Sequence, residues 1–191
     1  MIEMLPYSPE MDLESFYQKA ASKGYKNNSN KKIMVDAFDS EREKQVWIMY
    51  NDNSPVGAVA AHSLDIISST AFRICARTCV FTDELPKTSL RTVTGITTHQ
   101  NYTAQYLMPA CLDWIPEWGD AFITSNELES GSQRLVHRIF CPALEKTGVL
   151  ELWDRKMYRG TEQHFWKVNK EQFYEELDRY GRWSEITPQE T

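Results

Sequence analysis

The sequence predicts a single α/β domain. Three observations carry that expectation. Short runs rich in β-branched and aromatic residues alternate with segments whose apolar residues recur at helical spacing. Hydrophobic content is 41%, enough to build one core in 191 residues, and six Trp exclude a disordered chain. No internal repeat, low-complexity tract or linker divides the chain. It reads as one unit over 1–169, with a helical tail over 170–191 packed on the same unit.

Ile2 to Leu5 is a short extended stretch ended by Pro6. Asp12 caps a helix running to Ser22, with Leu13, Phe16, Tyr17 and Ala20 on one face, and Gly24 closes it. Gln45 to Tyr50, the turn cluster Asn51 to Ser54 and Pro55 to Leu64 form a hairpin, in which Gly57 marks a bulge or a close neighbour. A third run, Thr70 to Thr82, sets Phe72, Ile74, Ala76 and Thr78 on one parity and Arg73, Cys75, Arg77 and Cys79 on the other, as in a strand with one wet side. A fourth run, Leu90 to Thr98, is Thr- and Val-rich, with Gly95 marking close access or a bulge.

Helical spacing returns at Leu107, Met108, Cys111, Leu112 and Ile115. Pro109 fits a first turn, so this helix is expected to begin near Met108, and Pro116 stops it. Ala121 to Thr124 is a brief strand. Ser130 or Ser132 caps a helix through Leu135, Val136, Ile139 and Phe140, which Pro142 bends or restarts before Gly148. Val149 to Trp153 and Glu162 to Val168 are strands around Tyr158-Arg159-Gly160, and Lys170 to Tyr180 is the tail helix.

Charge and apolar runs narrow the function classes. With 21 Lys and Arg against 27 Asp and Glu, the net charge is −6, and no basic run exceeds a pair such as Lys31-Lys32, so no nucleic-acid partner is expected. Val56 to Ala61, the longest nearly apolar stretch, falls far below the roughly 20 residues of a membrane span. The first residues lack a basic-then-apolar secretion pattern, so the expected location is cytoplasmic with no membrane partner. Cys75, Cys79, Cys111 and Cys141 show no CxxC pair or metal spacing and read as thiols of a reducing compartment; no metal is expected.

The order β-α-β-β-β-β-α-β-α-β-β resembles the GCN5-related N-acetyltransferase (GNAT) superfamily over the chain up to Asn169. The resemblance implies a mixed, splayed sheet of the acyl-CoA N-acyltransferase type, opening between its fourth and fifth strands. The most specific piece is Thr98 to Met108, set against the family's Arg/Gln-x-x-Gly-x-Gly/Ala loop. Backbone N–H groups of that loop and of the helix it opens hold the pyrophosphate of acetyl-CoA. Thr103 takes the Arg/Gln position, and Ala104 and Tyr106 fall where glycines are usual. The resemblance thus implies cofactor contacts at Ile96, Thr97 and Thr98, at Thr103, Ala104, Gln105, Tyr106 and Leu107, and at Asn126 beside the cofactor arm. The ring of Tyr106 either turns outward or fills the space of the phosphates. Ala143 to Val149 resembles the helix end Leu-Tyr-Glu-Lys-x-Gly-Phe, with Leu144 replacing the tyrosine that protonates the departing thiolate.

Two residues are candidates for catalysis. His99 either deprotonates an ammonium acceptor or caps the strand end, and Glu127 is either a base acting through water or a solvated acid. Arg134 and Arg138, four apart, meet the 3′-phosphate of CoA or pair with surface acids. His62, His137 and His164 read as ordinary, partly buried histidines. Trp114, Trp118, Trp153 and Trp166 wall an acceptor pocket or fill the core. Three function classes follow: acetyl transfer from acetyl-CoA to a small-molecule or protein amine, a non-catalytic binding or assembly protein of the same fold, and an unrelated α/β scaffold. The altered loop and Leu144 favour the second class over what fold alone suggests.

Overall fold

The computed structural model describes residues 1–38, 41–85, 96–128 and 132–179. Among these residues eight strands form one sheet: β1 (Ile2–Pro6), β2 (Lys44–Asn51), β3 (Ser54–Ser63), β4 (Ala71–Arg73), β5 (Cys79–Val80), β6 (Asp120–Ser125), β7 (Leu150–Tyr158) and β8 (Thr161–Val168). Their order is β1-β2-β3-β4-β6-β8-β7, with β5 also pairing β3. Every pairing is antiparallel except β4 with β6.

Alternation along the strands separates two buried faces. Val46 and Ile48 of β2 join Ala58 and Ala60 of β3 under α1 (Glu14–Ser22) and α2 (Lys31–Met34). Phe16 and Ala20 of the first helix and Leu13 before it are buried there, as their spacing requires, but the N-cap is Leu13, without a side-chain bond, and not Asp12. Trp47, Met49, Val59 and Ala61 point the other way, to a core shared with Leu107, Met108, Leu112, Phe140 and Leu144. The hairpin turns at Asp52 and Asn53, both with positive φ, and the second hairpin turns at Arg159 and Gly160 likewise. Phe173 of α7 (Lys170–Arg179) is buried in the second core.

Two elements differ from the sequence expectation. The third run is not one strand: β4 ends at Arg73, Cys75 takes a left-handed φ of 60°, and β5 resumes at Cys79. The fourth run is expected as strand to Thr98, but its described end opens a helix, α3 (Thr98–Tyr102); Leu90 to Gly95 lie outside the described residues, as do Ser130 and Tyr180. That helix continues through a π-helical turn (Thr103–Leu107) into α4 (Met108–Trp114). The helix therefore begins ten residues before Met108.

Proline explains the π turn. The ring of Pro109 removes one N–H and would clash with a carbonyl of the preceding turn, and a wider turn relieves the clash. The same solution recurs where α5 (Ser132–Leu135) passes through a π turn (Val136–Phe140) into α6 (Cys141–Lys146), whose second residue is Pro142. A proline inside a helical pattern is thus absorbed twice without ending the helix.

Gly57 faces the resumed strand. A Cβ there would lie 2.9 Å from the Cys79 carbonyl oxygen, a backbone atom that cannot swing aside. Gly57→Ala should lower stability by about 1–3 kcal/mol, as overpacking does. The urea midpoint should fall at unchanged slope, and a midpoint equal to wild type would contradict this close approach.

Candidate functional site

The site is built where β4 and β6 part. They share three residue pairs, Ala71 to Arg73 against Asp120 to Phe122, and Ile74 donates its amide to Phe122 O at 3.0 Å. The chain then turns away. Ala76 donates to Ala60 O at 2.9 Å, and β5 lies against Gly57 and Ala58 of β3. Ile123, Thr124 and Ser125 continue with β8 alone beside them among the described residues. A wedge opens between Cys75 and Ser125, followed by buried Asn126.

A helix start lies across the same end of the sheet. Thr97 is its N-cap, accepting from the Gln100 amide at 3.2 Å, while Gln100 Oε1 accepts from the Thr97 amide at 3.0 Å. This capping box satisfies two of the four orphan amides and leaves those of Thr98 and His99 without intrahelical partners. Gln100 Nε2 also donates to Leu135 O at 3.1 Å, tying this helix to α5. Ile96 is buried in the core.

The loop that the resemblance implies at Thr103 to Leu107 is not there. The Thr103 amide donates to Gln100 O and His99 O, and the Met108 amide to Thr103 O, so this stretch is continuous helix. Thr103, Ala104 and Leu107 are buried in it. Tyr106 stacks on Tyr102 at 6.1 Å and, with Gln105, lines a cleft of about 540 Å³ against Met4, Pro6, Gln45 and Trp47 of β1 and β2. That cleft lies on the β1–β2 side of the sheet, away from the wedge. Trp114 lines it too, whereas Trp166 is buried and Trp118 and Trp153 are exposed.

The two candidate bases sit apart. His99 stacks on Tyr25 at 6.3 Å, and its Nε2 is buried with no hydrogen-bond partner. Burial pushes its pKa down to about 4. Glu127 is exposed and ion-paired with Arg138 at 2.9 Å. Arg138 thus meets a surface acid.

A polar cluster that sequence spacing does not suggest borders the wedge. Trp166 Nε1 donates to Ser125 Oγ at 2.8 Å, and that hydroxyl can donate in turn to His137 Nδ1, also 2.8 Å away. The His137 and His164 rings meet edge-on at 4.7 Å. Burial pushes the neighbouring Cys141 thiol up to about 12, leaving it inert at neutral pH. Three elements contribute, β6, β8 and the second π turn, so no short motif could have disclosed the cluster. The capping box at Thr97 and Gln100, by contrast, is a local signal that the β-propensity of Leu90 to Thr98 masked. Among the described residues, no group of three or more His, Cys, Asp or Glu is placed to hold a metal, and no helix is long and apolar enough to cross a membrane.

A strand order with one parallel junction, parting beside a helix start, defines the splayed sheet of the acyl-CoA N-acyltransferases. Solved structures share it over nearly the whole chain. The aminoglycoside N-acetyltransferase AAC(6')-Ib11 is similar with a TM-score of 0.56 at 10% identity, over 91% of this chain and 99% of that one. AAC(6')-Ib in complex with coenzyme A and kanamycin gives 0.53 at 9%, over 92% and 98%. Aminoglycoside 6'-acetyltransferase type Ii gives 0.53 at 8%, over 86% and 95%. At this identity the likeness is one of fold: the chain has the GCN5-related N-acetyltransferase fold. No protein-family model and no curated protein matches the sequence.

The buried histidines set a pH response. His99 and His62, the latter pushed down to about 3 by burial and then by Arg73, are neutral in the fold and take up a proton on unfolding near the ordinary value of 6.5. Stability is therefore complete above about pH 6.5 and declines as pH falls toward the folded values. His99→Phe, which keeps a ring under Tyr25, should make the decline between pH 6.5 and 4 shallower in denaturant titrations. An unchanged decline would contradict the buried, neutral state of His99.

Proposed function

We propose that the protein is an N-acetyltransferase carrying an acetyl group from acetyl-CoA to an amine acceptor. The observation that carries this reading is the wedge between β4 and β6, set beside a helix start with two amides that lack intrahelical partners, those of Thr98 and His99. Those amides suit the pyrophosphate, and the wedge suits the extended thioester arm, with Asn126 along it. Amines are the acceptors suggested by the aminoglycoside acetyltransferases of this fold.

The reaction is direct attack. The amine nitrogen bonds to the thioester carbonyl carbon, the C–S bond breaks, the sulfur gains a proton and the nitrogen loses one. Backbone N–H groups of the β4–β5 path polarise the carbonyl. Burial makes His99 a weak base, and Glu127 is tied to Arg138, so the amine enters neutral and sheds its proton to water. Leu144 is buried and cannot protonate the thiolate, an observation that favours the alternative of a binding protein without turnover.

Titration with acetyl-CoA, followed by release of free CoA in the presence of an amine panel, tests both readings. Acetyl-CoA at a hundredfold its Kd should raise stability by about 2.7 kcal/mol. Release of CoA supports transfer, stabilisation without release supports the binding protein, and neither overturns the proposal. Tyr106→Gly should lower stability by about 1 kcal/mol, as glycine does inside a helix, and leave acetyl-CoA affinity within twofold. Loss of binding in that variant would return the phosphates to Thr103–Leu107 and contradict the site at Thr97.

A further inference from the structure

The sheet face under α1 carries a second cluster, of opposite charge to the protein as a whole. His62 and Arg73 are directly opposed in the β3–β4 ladder, so both side chains stand on this face. Arg73 donates from Nε to Thr124 Oγ1 at 2.8 Å, and its guanidinium lies 5.6 Å from the centre of the Tyr158 ring. Arg159, on the β7–β8 turn, lies over the same ring at 5.3 Å. Arg77, in the kink after β4, lies over Phe38 at 5.2 Å, and His62 stacks on that ring at 4.7 Å. Two aromatic rings thus collect three guanidinium groups and an imidazole.

Among the described residues, Arg77 has no counter-charge. Arg77 is only 9% exposed, its Nε is buried with no hydrogen-bond partner, and it forms no ion pair among the described residues. Burial, then Arg159 and Arg73, push its pKa down to about 10. Glu41, a carboxylate 3.7 Å from His62 Nδ1, also faces Arg159 and Arg73, but burial outweighs them and pushes its pKa up. A buried cation without a counter-charge is costly, and planar guanidinium groups suit a carboxylate or phosphate held by two bonds at once. Arg73 binds Thr124, the residue before Ser125, so the cluster adjoins the wedge on the face opposite the Ser125–His137 pair.

We propose that Arg77, Arg73 and Arg159 form an oxyanion-binding site and, given the acetyltransferase reading above on which this part rests, that it receives the carboxylate or phosphate of an amine acceptor. The acceptor is then an anionic amine, and a polycation such as kanamycin is a poor one. Calorimetric titrations of wild type, Arg77→Gln and Arg159→Gln with succinate and with inorganic phosphate, at fixed ionic strength, test this. Acetyl-CoA is titrated separately. Wild type should bind at least one anion saturably, each variant at least tenfold more weakly, and acetyl-CoA affinity should not change. The tighter of the two anions names the acceptor's group. Without anion, Arg77→Gln should melt no lower than wild type, because it removes an uncompensated charge; a structural arginine would melt lower. Absence of saturable anion binding, or equal binding by both variants, overturns the site. Displacement of the anion by acetyl-CoA overturns its assignment to the acceptor. Anion binding without acetyl-CoA binding would sink the acetyltransferase reading and leave the anion site standing.

Discussion

Ala76 gives its amide to Ala60 of β3, and this bond sends the chain leaving β4 away from β6. A strand that stayed straight would extend the parallel ladder and fill the sheet, as backbone groups in a sheet interior require partners. Here Cys75 turns through a left-handed conformation, which costs a non-glycine residue energy that the surroundings must offset. Ala76 and the β5 pairs supply that offset on one side. On the other side, Ser125 finds its partners in side chains, Trp166 and His137. The wedge, the helix that crosses it and both polar clusters all depend on this departure.

The two faces of the wedge are chemically distinct. Toward α5 and α6 lie a hydroxyl, two imidazoles and a buried thiol, a hydrogen-bonded lining. Toward Phe38 and Tyr158 lie three guanidinium groups and, among the described residues, the carboxylate of Glu41. Strand alternation produces the division, since Thr124 and Ser125 are neighbours in sequence and point to opposite faces. A cofactor arm and an acceptor could thus approach from different sides without sharing contacts.

Much of the fold was legible because it follows from periodicity. The stripe of Leu13, Phe16 and Ala20 had to be buried, and the hairpin about Asp52 and Asn53 had its turn residues in place. The site was less legible for physical reasons. Thr- and Val-rich residues before Thr98 read as strand, hiding a helix start that the Thr97–Gln100 pair marks. Pro109 read as a helix beginning because a π turn, which lets a helix pass a proline, leaves no trace in apolar spacing. The even alternation of Thr70 to Thr82 concealed the kink at Cys75 and made Arg77 look solvent-facing. Contacts such as Ser125 with Trp166 join residues 41 apart and belong to the tertiary fold alone.

In the proposed function, the wedge and the helix start at Thr97 together receive acetyl-CoA. Amide hydrogen exchange with and without acetyl-CoA tests it most directly, because it reads backbone groups one segment at a time. Slowed exchange at Thr98 and His99 and beside the wedge at Ser125 and Asn126, with Thr103 to Leu107 unchanged, is the result expected. Protection confined to the cleft around Gln105 and Tyr106, or no protection by saturating ligand, would contradict the account.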